Sequence, residues 1–339
     1  MAAEQRRVCV TGGTGFIASS LIKQLLLRGY AVNATVRDPD NTEKVGHLKQ
    51  LQSLGTLNLF RAELTEEGSF DAAVSGCVYV FLVAAPVNIA AEDPENEVIK
   101  PAIRGTLNVM KSCLKAKNTV ERIVLTSSAA AVSMKKLEGS GVVMDEEAWS
   151  DVDHLSSEKP PTWGYAVSKV MVEKEAFRFA EENNLSLVTL LPTLNLGPAL
   201  AADYISMSLP LGISLLSGNE ELINGFKLMQ AISGSISMAH VEDTCRAHIF
   251  VAENKSASGR YICCSINTSL PELSRFLAER YPQYKVPTNF DELPEKSKVM
   301  LSSEKLIKAG FEFKYKMLGE IYDDVVEYAK VAGLLPKET

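Results

Sequence analysis

The sequence predicts an α/β fold: a doubly wound parallel sheet with a smaller C-terminal lobe. Two observations lead to this prediction. Short apolar runs rich in β-branched residues alternate with helical patterns through the first two thirds of the 339 residues, and such runs are typical of parallel strands buried on both faces. A glycine-rich turn also separates the first run from the first helical pattern, as expected where a βαβ unit binds a nucleotide.

The predicted elements alternate along the chain. Predicted strands cover residues 7–11, 31–36, 57–60, 78–84, 122–126 and 186–191. Predicted helices cover residues 16–28, which Gly29 ends, then 95–117 and 164–182. Strands that alternate with helices of this length imply crossover connections and therefore a parallel sheet.

After Pro192 the pattern changes. Residues 193–235 are rich in Leu, Ser, Gly and Asn with weak periodicity, which predicts a mobile segment covering a substrate. A helix at 240–253 and a strand at 260–265 are expected to return to the sheet. The tail is predicted to hold a helix at 271–280, a proline-containing loop and an amphipathic helix through Ile321, Val325, Val326 and Ala329. We predict a nucleotide-binding domain of residues 1–192 plus about 236–266, and a substrate-binding lobe of 193–235 and 267–339.

The composition excludes several classes of protein. Lys and Arg number 35 against 42 Asp and Glu, which gives a net charge of −7 and an isoelectric point near 5.4. This balance argues against nucleic acid or an anionic membrane as a partner. No segment reaches the roughly 20 apolar residues of a membrane span, and no signal-peptide pattern opens the sequence. The six cysteines lack a Cys-x-x-Cys pair, which is typical of reduced core thiols, so we expect a cytoplasmic protein.

The turn after the first strand matches a phosphate-binding pattern. Gly13-x-Gly15-x-x-Ala18 is the Rossmann fingerprint with alanine in the last place. Small residues let the backbone approach a pyrophosphate at the helix N-terminus, where free N–H groups and the helix dipole favour negative charge. A plain glycine-rich turn is the alternative interpretation. The residues predicted to bind a dinucleotide here are Gly12, Gly13, Thr14, Gly15, Phe16 and Ile17.

The end of the second predicted strand favours NADPH over NADH. Arg37 lies 19 residues after Ala18, where NAD enzymes usually place an acid on the ribose diol. A guanidinium there suits a 2′-phosphate, and Lys44 adds a second positive charge. The neighbouring Asp38 keeps NADH as the alternative cofactor, and a solvated loop cation is the alternative role for Arg37.

A tyrosine and a lysine are predicted to share one face of a helix. Tyr165 and Lys169 are four residues apart, which places their side chains one turn apart. A nearby ammonium stabilises a phenolate and makes the phenol a usable proton donor or acceptor. The same spacing recurs at Tyr281 and Lys285, but Pro282 disfavours a helix there, so the spacing alone is not specific.

The surroundings favour Tyr165 as the functional tyrosine. Ser128 lies at the carboxyl end of an interior predicted strand, which is where ligands bind in open α/β sheets. We predict that Ser128 holds a substrate oxygen while Tyr165 exchanges its proton. Ser127 is the alternative serine, and a strand-end hydrogen bond is the structural alternative for both.

This combination resembles the extended short-chain dehydrogenase/reductases over nearly the whole chain, and more narrowly the plant flavonoid reductases. The matching stretches are ATVRDPD at 34–40, DPENEVIKP at 93–101, LTSSA at 125–129 and GRYICC at 259–264. PPTWGY at 160–165 and SGSISMAHVED at 233–243 resemble the anthocyanidin reductases more than the dihydroflavonol 4-reductases. The latter usually carry an asparagine, linked to B-ring recognition, where this chain has Ser133.

The resemblance implies an NADPH-dependent oxidoreductase whose partner is a small flavonoid. It implies that a cationic anthocyanidin receives two hydride equivalents and becomes a 2,3-cis-flavan-3-ol of the epicatechin type, in flavonoid and proanthocyanidin biosynthesis. Lys169 is expected to reach the nicotinamide ribose as well. Carbonyl reduction of a dihydroflavonol at C-4 is the alternative, followed by an NADPH-binding protein without turnover. Further cofactor contacts are expected at Glu63, Leu64, Val83, Ala84, Ala85, Pro192 and Thr193.

The sequence departs from the flavonoid reductases next to the expected pocket. Leu82 and Ala85 replace a usual histidine and threonine, and Ala166-Val167 replaces a common Pro-Ala after the tyrosine. These changes leave the predicted redox residues intact and bear on substrate preference and rate. The sequence predicts no particular oligomeric state.

Four other residues lie outside these motifs, and two of them, His240 and Trp163, have two interpretations each. His240 and His248 flank two acids, but no His-x-x-x-His pair or cysteine cluster accompanies them, so no metal site is predicted. His240 either borders the pocket or makes a structural hydrogen bond. Trp163 either stacks on a planar flavonoid or packs in the core. Asn108 is expected to flank the site and to support the proton relay.

Overall fold

The computed structural model describes residues 5–86, 88, 91–136, 139, 141–201 and 206–336. Its strands are β1 (Arg7–Val10), β2 (Ala31–Val36), β3 (Leu57–Arg61), β4 (Tyr79–Leu82), β5 (Arg122–Thr126), β6 (Val142–Met144), β7 (Leu187–Pro192), β8 (Leu194–Leu196), β9 (Ile236–His240), β10 (Gly259–Cys263), β11 (Ile266–Thr268) and β12 (Val299–Leu301). Its α-helices are α1 (Phe16–Leu27), α2 (Thr42–Leu51), α3 (Asp71–Val74), α4 (Lys100–Lys115), α5 (Val152–Glu158), α6 (Trp163–Asn183), α7 (Ser208–Gly212), α8 (Ser214–Ser217), α9 (Glu220–Ser233), α10 (Val241–Glu253), α11 (Leu270–Arg280), α12 (Glu304–Lys308) and α13 (Leu318–Val331).

The main sheet confirms the predicted doubly wound topology. Its seven strands lie in the order β10-β7-β5-β4-β1-β2-β3, and every neighbouring pair is parallel. All predicted strands, and the helices at 16–28, 164–182, 240–253 and 271–280, are present with ends within two residues of prediction. The order reverses beside β1, so the carboxyl ends of β1 and β4 flank the crevice where such folds bind ligands.

The two faces of the sheet are covered by different helices. In β1, Val8 and Val10 belong to a core formed with α1 and α10, whereas Cys9 belongs to a core formed with α4 and α6. This alternation follows from the two-residue period of a strand. All six cysteines are buried and none is in a disulfide, so they lie in the core as predicted.

Residues 193–235 contain helices and a strand that their weak periodicity did not indicate, and their role in covering a substrate stays a prediction. The described part of this segment contains β8, α7, α8 and α9. Two of these helices have only five and four residues, too short for an amphipathic period to be recognised. Asn219 caps α9 by accepting the N–H of Leu222 at 3.1 Å, and Leu209, Leu215 and Phe226 are buried.

One predicted helix begins differently, and several elements were not predicted. The predicted helix at 95–117 starts with a π-helical turn, Glu95–Ile99, before α4. Because Pro101 has no N–H to donate, a regular hydrogen-bond ladder cannot pass through this point. The helix α2 and two small sheets, β11-β9-β8 and β12-β6, were not predicted.

A separate apolar core lies in the C-terminal part of the chain. Its buried members come only from residues 196–238 and 270–335. They include Phe226 from α9, Leu277 from α11 and Tyr322 from α13. Tyr322 also donates a hydrogen bond to the Gly212 carbonyl at 3.0 Å, which joins α13 to α7.

Candidate active site

The glycine-rich turn joins β1 to α1 at the carboxyl edge of the main sheet. Gly12 has a φ of +70°, a conformation that favours glycine, and a Cβ added there would lie 3.0 Å from the Cβ of Ala84. A Cβ added at Gly13 would lie 3.2 Å from the Cβ of Ala34. The turn therefore needs glycine because the ends of β4 and β2 pack directly against it.

The first turn of α1 has the polarity that a pyrophosphate requires. Gly15 is its N-cap and offers no side-chain acceptor, and the first turn contains no acidic residue. The N–H groups of Phe16 and Ile17 and the positive end of the helix dipole thus remain available to an anion. Thr14 is half-buried in the same turn. Shape and charge together fit the phosphates of a dinucleotide.

Thr11 holds the end of β4 against this turn, a role that the sequence analysis missed. Its Oγ1 accepts the N–H groups of both Val83 and Ala84, each at 3.0 Å. These two hydrogen bonds take the place of backbone hydrogen bonds to a neighbouring strand. For this reason β4 ends at Leu82 and not at the predicted residue 84. The only available signal was a hydroxyl residue between the first strand and the glycines.

The predicted 2′-phosphate residues follow β2. Arg37 comes directly after the strand and is exposed, and Lys44 is exposed in the first turn of α2. Asp38 is turned toward its own loop, where its Oδ1 accepts the N–H of Asp40 at 3.0 Å. Arg61, at the end of β3 and opposite Val36, was not predicted; it makes two 2.8 Å hydrogen bonds to Glu66.

Glu63 and Leu64, which are predicted to contact the cofactor, follow β3 and are held by side chains from outside that strand. The N–H of Glu63 donates to Ser69 Oγ at 3.2 Å, and the carbonyl of Leu64 accepts from Asn108 Nδ2 at 2.8 Å. The Leu64 side chain packs over Gly105, where an added Cβ would lie 2.9 Å from Leu64 Cβ. Asn108 thus positions this loop, and its role in proton relay stays a prediction.

The structure distinguishes the two candidate serines. Ser127 is buried, and its Oγ donates to Glu173 Oε1 at 2.6 Å. Ser128 is half-buried and is the N-cap of a short 3-10 turn, Ala129–Ala131, where its Oγ accepts the N–H of Ala130 at 3.2 Å. An oxygen that accepts one hydrogen bond can still donate its own proton. Ser128 is therefore the serine able to meet a ligand.

The tyrosine and lysine share a face of α6, as predicted. Tyr165 is half-buried, whereas Lys169 is only 8% exposed. The Lys169 Nζ lies 5.6 Å from the centre of the Tyr165 ring and donates to the Thr126 carbonyl at 3.4 Å. A narrow cleft lined by Ala84, Ala85, Thr126 and Lys169, among others, runs from Lys169 to the segment that follows β4.

A buried neutral histidine lies beneath the end of β5. The Nδ1 of His248 is 2.8 Å from the Thr244 carbonyl and its Nε2 is 2.8 Å from Thr126 Oγ1. Because a carbonyl only accepts, Nδ1 carries the proton and Nε2 accepts from Thr126. Burial lowers the pKa of His248 to about 4, so the ring is neutral near pH 7. His248 therefore bonds the side chain of Thr126, the residue whose carbonyl accepts a hydrogen bond from Lys169.

The remaining predicted cofactor residues lie at the end of β7. Pro192 pairs with Cys263 of β10 in the sheet register. Thr193 donates to the Cys263 carbonyl through its hydroxyl at 3.1 Å, and its own carbonyl accepts from Asn195 Nδ2 at 2.9 Å. Both residues thus lie at the carboxyl edge, beside the end of β5.

His240, Trp163 and Ser133 each make contacts within the protein. His240 caps α10 through Nδ1, which accepts the N–H of Glu242, and its Nε2 lies 3.0 Å from Asp324 Oδ2. Trp163 is half-buried and packs beside a small apolar cluster at the start of α6. The Ser133 hydroxyl donates to the Ala129 carbonyl at 3.2 Å.

The second Tyr-x-x-x-Lys match does not form a comparable pair. Tyr281 is the residue after α11, so its segment leaves the helix before Lys285. Its hydroxyl donates to Asp323 at 2.6 Å. Within the described ranges, no group of three or more His, Cys, Asp or Glu side chains is arranged to hold a metal ion. In that same part of the chain, no helix is long and apolar enough to cross a membrane.

The fold and this edge of the sheet define a dinucleotide-dependent oxidoreductase of the extended short-chain type. The chain belongs to the NAD dependent epimerase/dehydratase family, whose model matches residues 8–264. An anthocyanidin reductase ((2S)-flavan-3-ol-forming) of Vitis vinifera is 61% identical over 331 residues, covering 98% of this chain and 97% of the relative. A dihydroflavonol 4-reductase of Gerbera hybrida is 42% identical over 98% of this chain and 88% of its own length.

Two solved structures share the whole architecture. Vestitone reductase from alfalfa (Medicago sativa L.) has a TM-score of 0.82 and 36% sequence identity, covering 97% of this chain and 99% of that one. A yeast methylglyoxal/isovaleraldehyde reductase complexed with NADPH has a TM-score of 0.80 and 25% identity, covering 96% and 99%. The resemblance to the plant flavonoid reductases is thereby confirmed.

Proposed function

We propose that this protein is an NADPH-dependent reductase that converts anthocyanidins to 2,3-cis-flavan-3-ols of the epicatechin type, in flavonoid and proanthocyanidin biosynthesis. One observation carries the proposal: a single edge of the sheet holds the glycine-rich turn, Ser128, Tyr165 and Lys169. The 61% identity to an anthocyanidin reductase over 98% of the chain supports this substrate class.

The cofactor is held along the carboxyl edge. Gly12 to Ile17 face the phosphates, and Arg37 with Lys44 supplies positive charge for a 2′-phosphate. The backbones that follow β3, β4 and β7 line the rest of the cofactor, through Glu63, Leu64, Val83, Ala84, Ala85, Pro192 and Thr193. NADPH bound there would supply hydride to the substrate, and each product molecule would require two molecules of NADPH.

The side chains handle the oxygen and the proton. A cationic anthocyanidin that gains two hydrides and one proton becomes a neutral flavan-3-ol, so atoms and charge balance. Ser128 donates a hydrogen bond to a substrate oxygen, and Tyr165 transfers the proton. The ammonium of Lys169 stabilises the phenolate left on Tyr165 and binds the nicotinamide ribose.

The two-lobe division and the location are part of this proposal. Residues 1–192 with about 236–266 bind the cofactor, and residues 193–235 and 267–339 bind the flavonoid. The separate C-terminal core supports this division, because its buried members come from 196–238 and 270–335 and only Ile236 and Met238 fall outside the proposed lobe. A reducing compartment such as the cytoplasm suits six unpaired cysteines.

The test is to incubate the purified protein with NADPH and, in parallel, cyanidin or dihydroquercetin, followed by chiral separation of the products. We expect flavan-3-ols from cyanidin, predominantly the 2,3-cis isomer. Leucoanthocyanidin from dihydroquercetin alone would instead assign C-4 carbonyl reduction, which the 42% identity to a dihydroflavonol 4-reductase keeps as the second candidate. NADPH binding with no product from either substrate would contradict both.

A further inference from the structure

A closed polar network lies one helical turn beyond Lys169 and has no part in the chemistry described above. The carboxylate of Glu173 accepts hydrogen bonds from Ser127 Oγ at 2.6 Å and from Thr189 Oγ1 at 2.8 Å. It also accepts from Arg260, through Nε at 2.9 Å and Nη2 at 3.4 Å. Glu173 and Thr189 are 0% exposed, Ser127 is 5% and Arg260 is 6%.

Arg260 is fixed by further contacts of its own. Its Nη1 donates to the carbonyls of Glu146 at 2.7 Å and Ala148 at 2.6 Å, and its Cζ lies 3.6 Å from the centre of the Trp149 ring. Every oxygen of the carboxylate and every nitrogen of the guanidinium thus has a partner. A buried charged pair that is fully satisfied allows little movement, because each displaced bond would leave a buried charge without a partner.

The network is tied to the strand end that carries Ser128. Tyr165, Lys169 and Glu173 follow one another at four-residue intervals on α6 and lie on one face of that helix. Lys169 bonds the carbonyl of Thr126, and Glu173 bonds the side chain of the next residue, Ser127. Two successive helical turns therefore hold two successive residues of the strand end, and the residue that follows them is Ser128.

We propose that Ser127 and Glu173 are positioning residues that act through Ser128. The hydrogen bond between them sets the rotation of the strand end and so aims the Ser128 hydroxyl toward the side of α6 that carries Tyr165. This inference rests on the proposed function, since it assigns Ser128 the task of holding the substrate oxygen. Neither Ser127 nor Glu173 touches substrate in this account.

A matched pair of variants tests the inference. Ser127→Ala and Thr189→Val each delete one hydroxyl donor to the same carboxylate and leave the ion pair to Arg260 in place. Only the Ser127 hydroxyl lies on the strand end that precedes Ser128; Thr189 lies on the neighbouring strand β7. We expect Ser127→Ala to lower kcat with cyanidin about tenfold, because small misplacements of reacting groups are costly, and Thr189→Val to lower it by no more than about twofold. Titration with NADPH gives the concentration of folded, cofactor-binding protein in each preparation. Because kcat is calculated from that concentration, a loss of folded protein does not lower it.

We expect the loss of kcat to be at least fivefold larger in Ser127→Ala than in Thr189→Val. A smaller difference between the two variants overturns the inference. A double-mutant cycle adds a readout that a merely structural role would not change. If Ser127 acts through Ser128, Ser127→Ala lowers kcat less than twofold in the Ser128→Ala background; the same factor in both backgrounds overturns it. Ser127→Thr, which keeps the hydroxyl, should restore most of the rate. A wild-type protein that reduces cyanidin but fails these tests refutes the positioning role alone, whereas one that reduces no flavonoid refutes the proposed function and this inference with it.

Discussion

Replacing Gly12 with alanine should damage both the fold and cofactor binding, and the structure allows the cost to be worked out. A non-glycine residue in the left-handed conformation of Gly12 costs about 1–2 kcal/mol. The new Cβ would lie 3.0 Å from the Cβ and 3.1 Å from the Cα of Ala84, inside the contact distance of about 3.5 Å. The end of β4 must therefore move by about half an ångström, which adds about 1–3 kcal/mol of overpacking.

Gly29 provides the matched control. It has a φ of +83°, but an added Cβ would meet no atom within 4 Å. Gly29→Ala therefore has only the conformational cost, and the lower entropy of its unfolded chain offsets part of that cost. The free energy of unfolding should fall by about 1 kcal/mol. Gly12→Ala should lose about 2–4 kcal/mol. Urea unfolding without cofactor measures both values.

Cofactor affinity separates the two variants further. Ala84 is both the residue displaced by Gly12→Ala and a proposed cofactor contact, so we expect the Kd for NADPH to rise at least about tenfold, equivalent to about 1.4 kcal/mol. The Kd should stay within about twofold for Gly29→Ala. Fluorescence titration with NADPH measures it. Equal losses of stability and affinity in the two variants would refute the argument that close packing of the turn against β4 shapes the cofactor site.

Three further predictions concern single side chains. Tyr165→Phe should lower kcat by about 100-fold or more through loss of general acid catalysis while leaving the Kd for NADPH nearly unchanged; full activity in this variant would exclude Tyr165 as the proton donor. Arg37→Gln should weaken NADPH binding about tenfold or more by removing a charge-assisted phosphate bond, with NADH binding unchanged; the exposed Lys49→Gln on α2 controls for a general charge effect, and an equal loss in both would contradict a 2′-phosphate site. The folded-state pKa of His248, about 4, lies below the value of about 6.5 expected when unfolded, so its contribution to stability is present above pH 6.5 and is lost as the pH falls toward 4. Between pH 7 and pH 4.5 that loss should amount to about 2 kcal/mol and be absent in His248→Gln; urea unfolding at these two pH values measures it, and parallel losses in both proteins would contradict the buried neutral ring.

The main sheet and the helices beside it were accessible to sequence reasoning because most of these elements carry their own local signal. The strands at 31–36 and 122–126 are continuous apolar runs, and the glycines after β1 mark the turn. The small strands β6 and β12 gave no such signal, because each has three residues and its partner lies more than 150 residues away in the chain. Their existence depends on tertiary packing that no local pattern records.

The proposed catalytic residues could be selected from the sequence, but the contacts that hold them could not. Tyr165, Lys169 and Ser128 could be chosen from spacing and position. Glu173 carries only a weak signal, an acid four residues beyond Lys169 on the same helix face. Its partner Arg260 is 87 residues away. The sequence favoured Ser128 with Ser127 as the alternative, and the hydrogen bond from Ser127 to the buried carboxylate of Glu173 separates the two serines in the structure.

The most direct test of the central claim is to run the cyanidin reaction with NADPH that carries deuterium at the transferable position and to analyse the product by mass spectrometry and NMR. Reduction of a flavylium cation to a flavan-3-ol requires two hydrides and one proton, so we expect two deuterium atoms in each flavan-3-ol molecule and two oxidised cofactors per product. In the same assay Tyr165→Phe should form almost no labelled product. A flavan-3-ol with one deuterium or none, or no flavan-3-ol at all from cyanidin, would contradict the account.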